Sequence, residues 1–385
     1  MARGRAPSRR IAVVASDARR LLHLRAPLLS AITAQGHKLL CLAGSAGKGD
    51  IPALADLGAE HASFPLGGPL LRTLGDRTAI EALRTRLTAW QPSVVLGIGL
   101  KPMVLAARAA ARIEGTRTVL IAPSLTGLSS GPERRPGIAT RWLVQRALNS
   151  AHALVVHNSA DEVRLRDAGV VPEALAVHVL PGAGVDLARF APLPLPPLDR
   201  GLVFLMLTQR RRTKGILEFC EAARRVKAKA PGARFVLATN VPPDGIGGID
   251  TEQLRAFDDC VEMTGAPDDA RALIGAAHVF VLPSYGEGIA QEVVEALACG
   301  RPAITTDVPG CRETVDERVS GVLVPPRDVL ALAAAMESFL RRPDLIPWMA
   351  QASRHKAERR FDAQTVNGAL LRMLGLSEQG VAEKV

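Results

Sequence analysis

Short runs of apolar and β-branched residues alternate with amphipathic helical stretches along this chain, and the whole alternation occurs twice. The runs of the first half span 11–16, 38–44, 93–99, 118–123, 153–158 and 176–182, and those of the second half span 202–207, 234–239, 261–265, 278–284, 302–307 and 321–326. Runs that are apolar on both faces are typical of parallel strands covered by helices on both sides. The sequence therefore predicts an α/β protein with two doubly wound, Rossmann-like parallel-sheet domains.

A proline-rich segment separates the two series of strands. The prolines, which exclude a helix and favour an extended connection, are Pro192, Pro194, Pro196 and Pro197. The predicted parts are an N-terminal domain (1–190), a linker (191–200), a C-terminal domain (201–342) and closing helices as candidates for packing back on the first domain (343–385). Ligands of open parallel sheets bind at the carboxyl ends of the strands, so two such domains facing each other predict a ligand cleft.

The excess of positive over negative charge is confined to the first half of the chain. Residues 1–200 carry 25 Lys and Arg against 14 Asp and Glu, whereas residues 201–385 carry 23 against 24. Such a surface can attract nucleic acid, anionic lipid or a phosphorylated substrate. Aromatic residues make up only 3% of the chain, and no nucleic-acid-binding motif is present, so we expect an anionic membrane surface or a lipid diphosphate rather than nucleic acid. A generally arginine-rich composition is the alternative explanation.

Cysteine and histidine spacing gives no sign of a metal site or a disulfide framework. The five cysteines form no CxxC pair, and the eight histidines show no HxxxH or HExxH spacing. The basic opening MARGRAPSRR precedes an apolar run that is too short for a secretory signal or a membrane span. We therefore predict reduced thiols, no metal, and a cytoplasmic protein held peripherally on the inner face of the plasma membrane. GIGLKP (97–102) has proline at the third glycine position of a dinucleotide fingerprint, which argues against a dehydrogenase.

The segment 284–300 carries the most chemical information. It follows a predicted strand, turns at Gly286 and Gly288, and continues as a helix, so that Glu287 lies in the loop and Glu295 on the helix. The amides of Gly288, Ile289 and Ala290 are then at the start of that helix, where the helix dipole favours an anion. A diphosphate or a sugar is the predicted ligand. By the same argument Lys214, before Gly215 at a strand-to-helix turn, is a candidate phosphate ligand.

The surrounding sequence resembles a known family. Glu287 through Glu295 is similar to the E-x7-E motif of retaining glycosyltransferases of family 4, which have the GT-B fold. RRTKGILEF (211–219) resembles the phosphate-binding loop of that family, and PGAGVDLARF (181–190) resembles the start of its second domain. KPM (101–103) with LTGL (125–128) resembles the branch that builds cell-surface polysaccharides on polyprenyl-diphosphate sugars.

The resemblance implies a role for particular residues. Glu295 would bind the ribose hydroxyls of the donor nucleotide, Glu287 would face the transferred sugar, and Lys214 would neutralise the departing diphosphate without a metal or other cofactor. The remaining candidates are donor-binding Gly288, Ile289, Ala290, Arg210, Arg212 and Gly265, and acceptor-binding Lys101, Thr126 and Gly127. Gln209 stands where the family usually has arginine, so a fixed charge is missing there.

The leading hypothesis is an enzyme that transfers a sugar, of N-acetylhexosamine type, from a UDP-sugar to a polyprenyl-diphosphate-linked glycan at an anionic membrane. Gln209 motivates a first alternative, a catalytically weak nucleotide-sugar-binding partner of a membrane transferase. The second alternative is a GT-B epimerase or phosphorylase that acts on soluble substrates.

Overall fold

The computed structural model describes residues 8–68, 76–122, 137–240, 248–267 and 269–376. The chain divides into two compact units, one formed by 1–183 with 363–385 and the other by 184–362. Each unit is an α/β domain built on a parallel sheet, as the alternation of apolar strands and helices predicts.

The first unit contains a seven-stranded sheet in the order β3-β2-β1-β4-β5-β6-β7. Its strands are β1 (Arg10–Ala15), β2 (Lys38–Ala43), β3 (Ala59–Ser63), β4 (Val94–Ile98), β5 (Arg117–Ala122), β6 (Ala153–Val156) and β7 (Ala176–Val179). Its helices are α1 (Ala18–Ala34), α2 (Asp50–Asp56), α3 (Arg77–Trp90), α4 (Leu100–Ala110), α5 (Ile138–Leu148) and α6 (Ser159–Asp167), together with α13 (Ala363–Met373) from the end of the chain.

The second unit contains a six-stranded sheet in the order β10-β9-β8-β11-β12-β13. Its strands are β8 (Val203–Gln209), β9 (Arg234–Asn240), β10 (Glu262–Thr264), β11 (Val279–Leu282), β12 (Ala303–Thr306) and β13 (Gly321–Val324). Its helices are α7 (Ile216–Lys229), α8 (Thr251–Arg255), α9 (Arg271–Gly275), α10 (Gln291–Ala298), α11 (Val329–Arg341) and α12 (Ile346–Arg360). Short 3-10 turns span Leu198–Arg200, Arg212–Lys214, Arg312–Thr314 and Pro343–Leu345.

Both faces of the first sheet are covered. Along β1, Ile11 and Val13 belong to one buried apolar cluster, whereas Ala12 and Val14 belong to another. Successive side chains of a strand point to opposite faces, so a strand covered on both sides must be apolar at every position. This is why the strands read as unbroken apolar runs in the sequence.

One strand, β3, is missing from the sequence-based prediction. Its sequence AEHAS contains no large apolar residue, and only Ala59 is fully buried. β3 pairs with β2 alone, at the edge of the sheet. An edge strand buries less side-chain surface than a central one, so its apolar signal is weaker.

The proline-rich segment lies against the second unit. The Arg301 guanidinium donates to the carbonyl oxygens of Leu193 at 2.8 Å and Pro194 at 2.6 Å, and His278 Nε2 is 3.1 Å from the carbonyl oxygen of Pro196. The division between the two units lies instead between Ala183 and Gly184. The predicted linker (191–200) is bound to the second unit by the buried Arg301.

The closing helices are shared between the units. Helix α12 contributes Ile346, Met349 and Ala357 to the core of the second unit, whereas α13 contributes Leu370 and Leu371 to the core of the first. The chain returns to the first unit at Ala363 rather than at the predicted boundary of 343. Among the described helices, none combines the length and apolar character that crossing a membrane requires.

Candidate functional site

The candidate residues of the second unit lie at the point where the strand order of its sheet reverses, between β8 and β11. Strands β8 and β11 are neighbours, but the chain leaves β8 toward β9 on one side and leaves β11 toward β12 on the other. Ligands of doubly wound sheets bind at the carboxyl ends of such neighbouring strands. Lys214 follows β8 and Glu287 follows β11, so the topology brings the two candidate catalytic residues to one place.

The two loops are in direct backbone contact. Gly215 has φ +77°, and a Cβ added there would lie 2.1 Å from the carbonyl oxygen of Pro283. The amide of Tyr285 donates to the carbonyl oxygen of Thr213 at 2.8 Å. Only glycine allows both the left-handed backbone and this close approach. The loops after β8 and β11 are therefore held in a fixed relative position.

Lys214 lies between two carboxylates. Its Nζ is 2.7 Å from Glu287 Oε1 and 3.2 Å from Glu292 Oε1, and all three side chains are largely buried. Ser284 Oγ donates to Glu287 Oε1 at 2.7 Å, which fixes that carboxylate further. The cluster is a charge-assisted network in a partly desolvated setting, where such bonds are stronger than in water.

The cluster holds Lys214 in its charged form. Burial by itself lowers the pKa of the Lys214 ammonium, but the charges of Glu292 and Glu287, with their hydrogen bonds, outweigh burial and raise this pKa above its ordinary value. The site therefore presents a permanent cation beside two carboxylates at the edge of the sheet.

Glu292 was absent from the sequence-based candidates. It lies in the first turn of α10, where an acidic residue is ordinarily a helix-stabilising feature. The available signal was its place five residues after Glu287, in the turn that faces the loop after β8. Periodicity alone does not show that Lys214 reaches this turn, because Lys214 comes from a different part of the chain.

Glu295 lies one turn further along α10 and is only 4% exposed. Gln291 Nε2 is 3.5 Å from Glu295 Oε1 and donates to the carbonyl oxygen of Gly184 at 3.0 Å. Its spacing along the helix puts Glu295 on the same side as Gln291 and Glu292. The assignment of Glu295 to the ribose of a nucleotide remains a prediction.

The helix start after β11 contains the three predicted amide donors, Gly288, Ile289 and Ala290, all buried. Ala290 occupies the N-cap of α10, and no side chain caps the helix there. The Ala290 amide donates to the carbonyl oxygen of Gly310 at 3.4 Å, a long bond. An uncapped N-terminus of this kind favours an anionic ligand.

The predicted second cations have different surroundings. Arg210 is buried, and its Nε and Nη2 donate to the carbonyl oxygen of Ile249 at 2.6 Å and to Thr251 Oγ1 at 2.7 Å. A role in donor binding would require Arg210 to exchange these bonds. Arg212 is exposed in the turn before Lys214, and Gln209 is exposed at the end of β8.

The other candidates are more distant or lie outside the described residues. Gly265 follows β10 at the carboxyl edge of the second sheet and is exposed. Lys101 belongs to the first unit, in the first turn of α4, where its Nζ donates to the carbonyl oxygen of Gly68 at 2.9 Å. Thr126 and Gly127 fall in the range 123–136, which the structure does not describe.

Tyr285 anchors the loop after β11 to helix α7. Its hydroxyl donates to Glu218 Oε1 at 2.5 Å, and the Arg327 guanidinium carbon lies 4.6 Å from the ring centroid. Burial and the hydrogen bond to Glu218 raise the pKa of Tyr285 to about 12. The phenol is therefore a neutral donor that positions the loop. Within the described ranges, no three His, Cys, Asp or Glu side chains are grouped closely enough to hold a metal ion.

Comparison with protein families accounts for both units. Residues 25–183 match the model of the glycosyl transferase 4-like domain, and residues 200–342 match the model of glycosyl transferases group 1. The chain belongs to the GT-B glycosyltransferases. The carboxylate cluster and the uncapped helix start both fall within the second matched region of this family.

Curated relatives extend the comparison. Over 221 residues the chain is 32% identical to WcaL of Escherichia coli, named as a colanic acid biosynthesis glycosyltransferase, with 55% of this chain and 53% of that protein covered. It is 26% identical over 214 residues to N,N'-diacetylbacillosaminyl-diphospho-undecaprenol alpha-1,3-N-acetylgalactosaminyltransferase of Campylobacter jejuni, with 51% and 54% covered. The chain thus spans about half the length of the curated relatives that it matches.

Solved structures show the same fold. Sucrose-phosphate synthase from Thermosynechococcus elongatus aligns with a TM-score of 0.76 at 19% identity, covering 95% of this chain and 99% of that one. HepE from Anabaena, in complex with UDP, aligns with a TM-score of 0.74 at 16% identity, with the same coverage. At these identities the likeness establishes the GT-B fold alone.

Proposed function

We propose that this chain is a retaining glycosyltransferase that transfers a sugar from a UDP-sugar to a polyprenyl-diphosphate-linked glycan during cell-surface polysaccharide biosynthesis. The observation that carries the proposal is the Lys214, Glu287 and Glu292 cluster at the turning point of the second sheet. It combines a side chain held in its charged form, a carboxylate bonded to Ser284 and an uncapped helix start. These are the groups that a diphosphate leaving group and a sugar require.

In the proposed reaction, Lys214 moves from the carboxylates toward the donor diphosphate. The bond between the anomeric carbon and the diphosphate oxygen breaks, and its electron pair leaves with UDP. The acceptor hydroxyl oxygen bonds to the anomeric carbon on the same face, and its proton passes to a phosphate oxygen. Lys214 stabilises the departing negative charge, and Glu287 faces the positive charge that develops on the sugar.

The comparisons support particular parts of this proposal. The Campylobacter relative is named for transfer of N-acetylgalactosamine to a diphospho-undecaprenol glycan, which supports an N-acetylhexosamine donor and a lipid-linked acceptor. HepE is described with UDP and with UDP-glucose, which supports a UDP-sugar. We propose no metal, because Lys214 supplies a cation for the diphosphate. We also propose that the enzyme acts on the cytoplasmic face of the plasma membrane, where the proposed acceptor would be reached.

The test separates binding from chemistry. A panel of UDP- and GDP-sugars is screened by thermal shift, because ligands that bind the folded state raise its stability. Glu295→Ala is expected to weaken donor binding, and Glu287→Ala is expected to lower turnover more than it lowers nucleotide affinity. If no nucleotide sugar stabilised the protein, or if both variants kept full transfer activity, the proposal would be rejected.

One observation favours the second candidate, a nucleotide-sugar-binding partner of a membrane transferase. Gln209, where the family usually has a charged residue, is uncharged and exposed at the end of β8, and Arg210 is engaged with Ile249 and Thr251. The diphosphate would then be neutralised by Lys214 with less help. Binding of a UDP-sugar without transfer or hydrolysis would select this candidate over the enzyme.

A further inference from the structure

Helix α5 of the first unit exposes two large apolar side chains on its outer side. Its inner residues Leu143, Val144 and Ala147 are buried in the core. Ile138 is 87% exposed and Trp142 is 55% exposed. These two residues are four apart, so they lie next to each other on the outer face of the helix. Two adjacent large apolar side chains exposed to water form an apolar patch, and such a patch is a candidate interaction site.

Arginine side chains lie to one side of this apolar pair. Helix α5 contains no aspartate or glutamate, and the guanidinium carbon of Arg146 lies 5.5 Å from the ring centroid of Trp142. Burial lowers the pKa of Arg108 on α4, and the nearby charges of Arg146 and Arg77 lower it further. Helix α4 packs against both α3 and α5. Three helices therefore bring like charges to one place.

We propose that the α5 surface, formed by Ile138, Trp142, Arg77, Arg108 and Arg146, docks the protein on an anionic lipid bilayer. Tryptophan favours the headgroup level of a membrane, where its ring is partly buried. Arginine binds anionic headgroups, and the side chains of Arg77 and Arg146 are both exposed. The inference deepens the proposed function and rests on it, because a lipid-linked acceptor requires an enzyme at the bilayer.

Other occupants account for only part of the surface. Nucleic acid would match the arginines but leaves Ile138 exposed. A second copy of the chain would cover Ile138 and Trp142 but would bring two sets of arginines together. An anionic bilayer matches both the apolar pair and the charge.

The apolar arm of the test uses flotation with vesicles of phosphatidylglycerol and phosphatidylcholine, without donor or acceptor. The double variant Ile138→Ser with Trp142→Ser is expected to bind roughly 10-fold more weakly than the unaltered protein, because two buried apolar contacts are lost. The matched control is Leu330→Ser with Trp348→Ser in the second unit, where the side chains are 65% and 52% exposed. This control is expected to bind like the unaltered protein.

The charge arm uses Arg77→Gln and Arg146→Gln, which are both exposed. Each is expected to weaken binding by roughly fivefold, since each removes one cation beside anionic headgroups. Arg318→Gln, an exposed arginine of the second unit, is the control and is expected to have no effect. Binding should also weaken as salt is raised, and vesicles of phosphatidylcholine alone should bind less protein.

Several results would overturn the inference. The first is that the α5 variants bind vesicles as well as the unaltered protein does. The second is that the protein binds neutral and anionic vesicles equally. The third is that replacing Ile138 and Trp142 changes a dimer to a monomer in sedimentation. UDP-sugar binding and transfer to a detergent-dispersed acceptor are measured on the same variants. If the α5 variants no longer bind vesicles but still transfer sugar to the dispersed acceptor, the α5 surface is supported. If they transfer sugar and also bind vesicles normally, the surface is rejected and the proposed function stays intact. Docking through α5 without any transfer rejects the enzyme and leaves the surface intact.

Discussion

The two sheets have the same strand order apart from the additional strand β7 of the first, but they differ in the side chains found at the point where the strand order reverses. In the first unit, the loop after β1 contains Asp17, which caps α1 by accepting from the Arg20 amide at 2.7 Å and from Ser45 Oγ at 2.9 Å. In the second unit, the loop after β8 contains Lys214, bound to two carboxylates. The same backbone plan thus carries a helix cap in one unit and a buried charge cluster in the other.

The difference teaches that topology locates a candidate site, and side chains decide its chemistry. In each sheet, the central strands end side by side, and the helices that follow them begin there. At the carboxyl ends of its strands, the second sheet has a cation, carboxylates and an uncapped helix start. The described part of the first sheet has Lys101 there, in the first turn of α4, where its side chain is bonded to a backbone carbonyl. We therefore expect donor chemistry in the second unit and acceptor contacts in the first.

The largest expected effect is that of Lys214→Ala. Removing the cation leaves the departing diphosphate without its charge partner, and we expect kcat to fall by roughly 10³-fold. The measurement is transfer with the UDP-sugar that the thermal-shift panel selects. Arg318→Ala, exposed in the same unit, is the control. A fall of less than tenfold would mean that the cluster does not act on the leaving group.

Glycine substitutions compare the rigidity of the loop after β4 in the first unit with that of the loop after β8 in the second. Gly99 has φ +94°, and a Cβ there would be 3.7 Å from the nearest side-chain atom, whereas a Cβ at Gly215 would be 2.1 Å from Pro283 O. We expect Gly99→Ala to lower the free energy of unfolding by about 1–3 kcal/mol, from backbone strain alone. Gly215→Ala should cost about 2 kcal/mol more, because it adds a clash with the backbone.

Denaturant unfolding of both glycine variants provides the measurement. Equal losses would show that the loop after β11 moves away without cost, and the close contact between the loops would then have no energetic consequence.

A smaller effect is expected for Glu292→Gln. This change keeps the shape of the side chain but removes one of the two negative charges that compete with a diphosphate for Lys214. UDP affinity should rise by roughly 5- to 10-fold, measured by calorimetry. Glu252→Gln, in the first turn of α8, is the matched control. Weaker UDP binding by Glu292→Gln would show that this carboxylate supports the donor instead.

The smallest effect belongs to the first unit. Lys101→Met should raise the KM for the acceptor by about three- to fivefold at unchanged kcat, because it removes one partly exposed charge. Lys38→Met, at the start of β2 on the opposite edge of the same sheet, is the control. If kcat fell as much as it does for Lys214→Ala, the distinction between donor chemistry in the second unit and acceptor contacts in the first would be lost.

Part of the site was open to prediction from sequence, and part was not. Glu287 and Glu295 could be placed because both lie in one continuous strand, turn and helix. Glu292 could not, because its significance comes from Lys214, which is distant in sequence. Arg210 was predicted as a donor-binding cation, and its bonds to Ile249 and Thr251 could not be predicted from the sequence. These bonds join residues that are 39 and 41 positions apart in the chain.

The sequence by itself determined the two parallel sheets, since strands buried on both faces must be apolar at every position. It also determined the loop and helix that carry Glu287 and Glu295, because local turn and helix signals govern them. Only the tertiary structure decided that Lys214 meets both Glu287 and Glu292, that the proline-rich segment is fastened by Arg301, and that the last helix returns to the first unit. These features join residues far apart in the chain, and no local pattern specifies which distant side chain a given residue will meet.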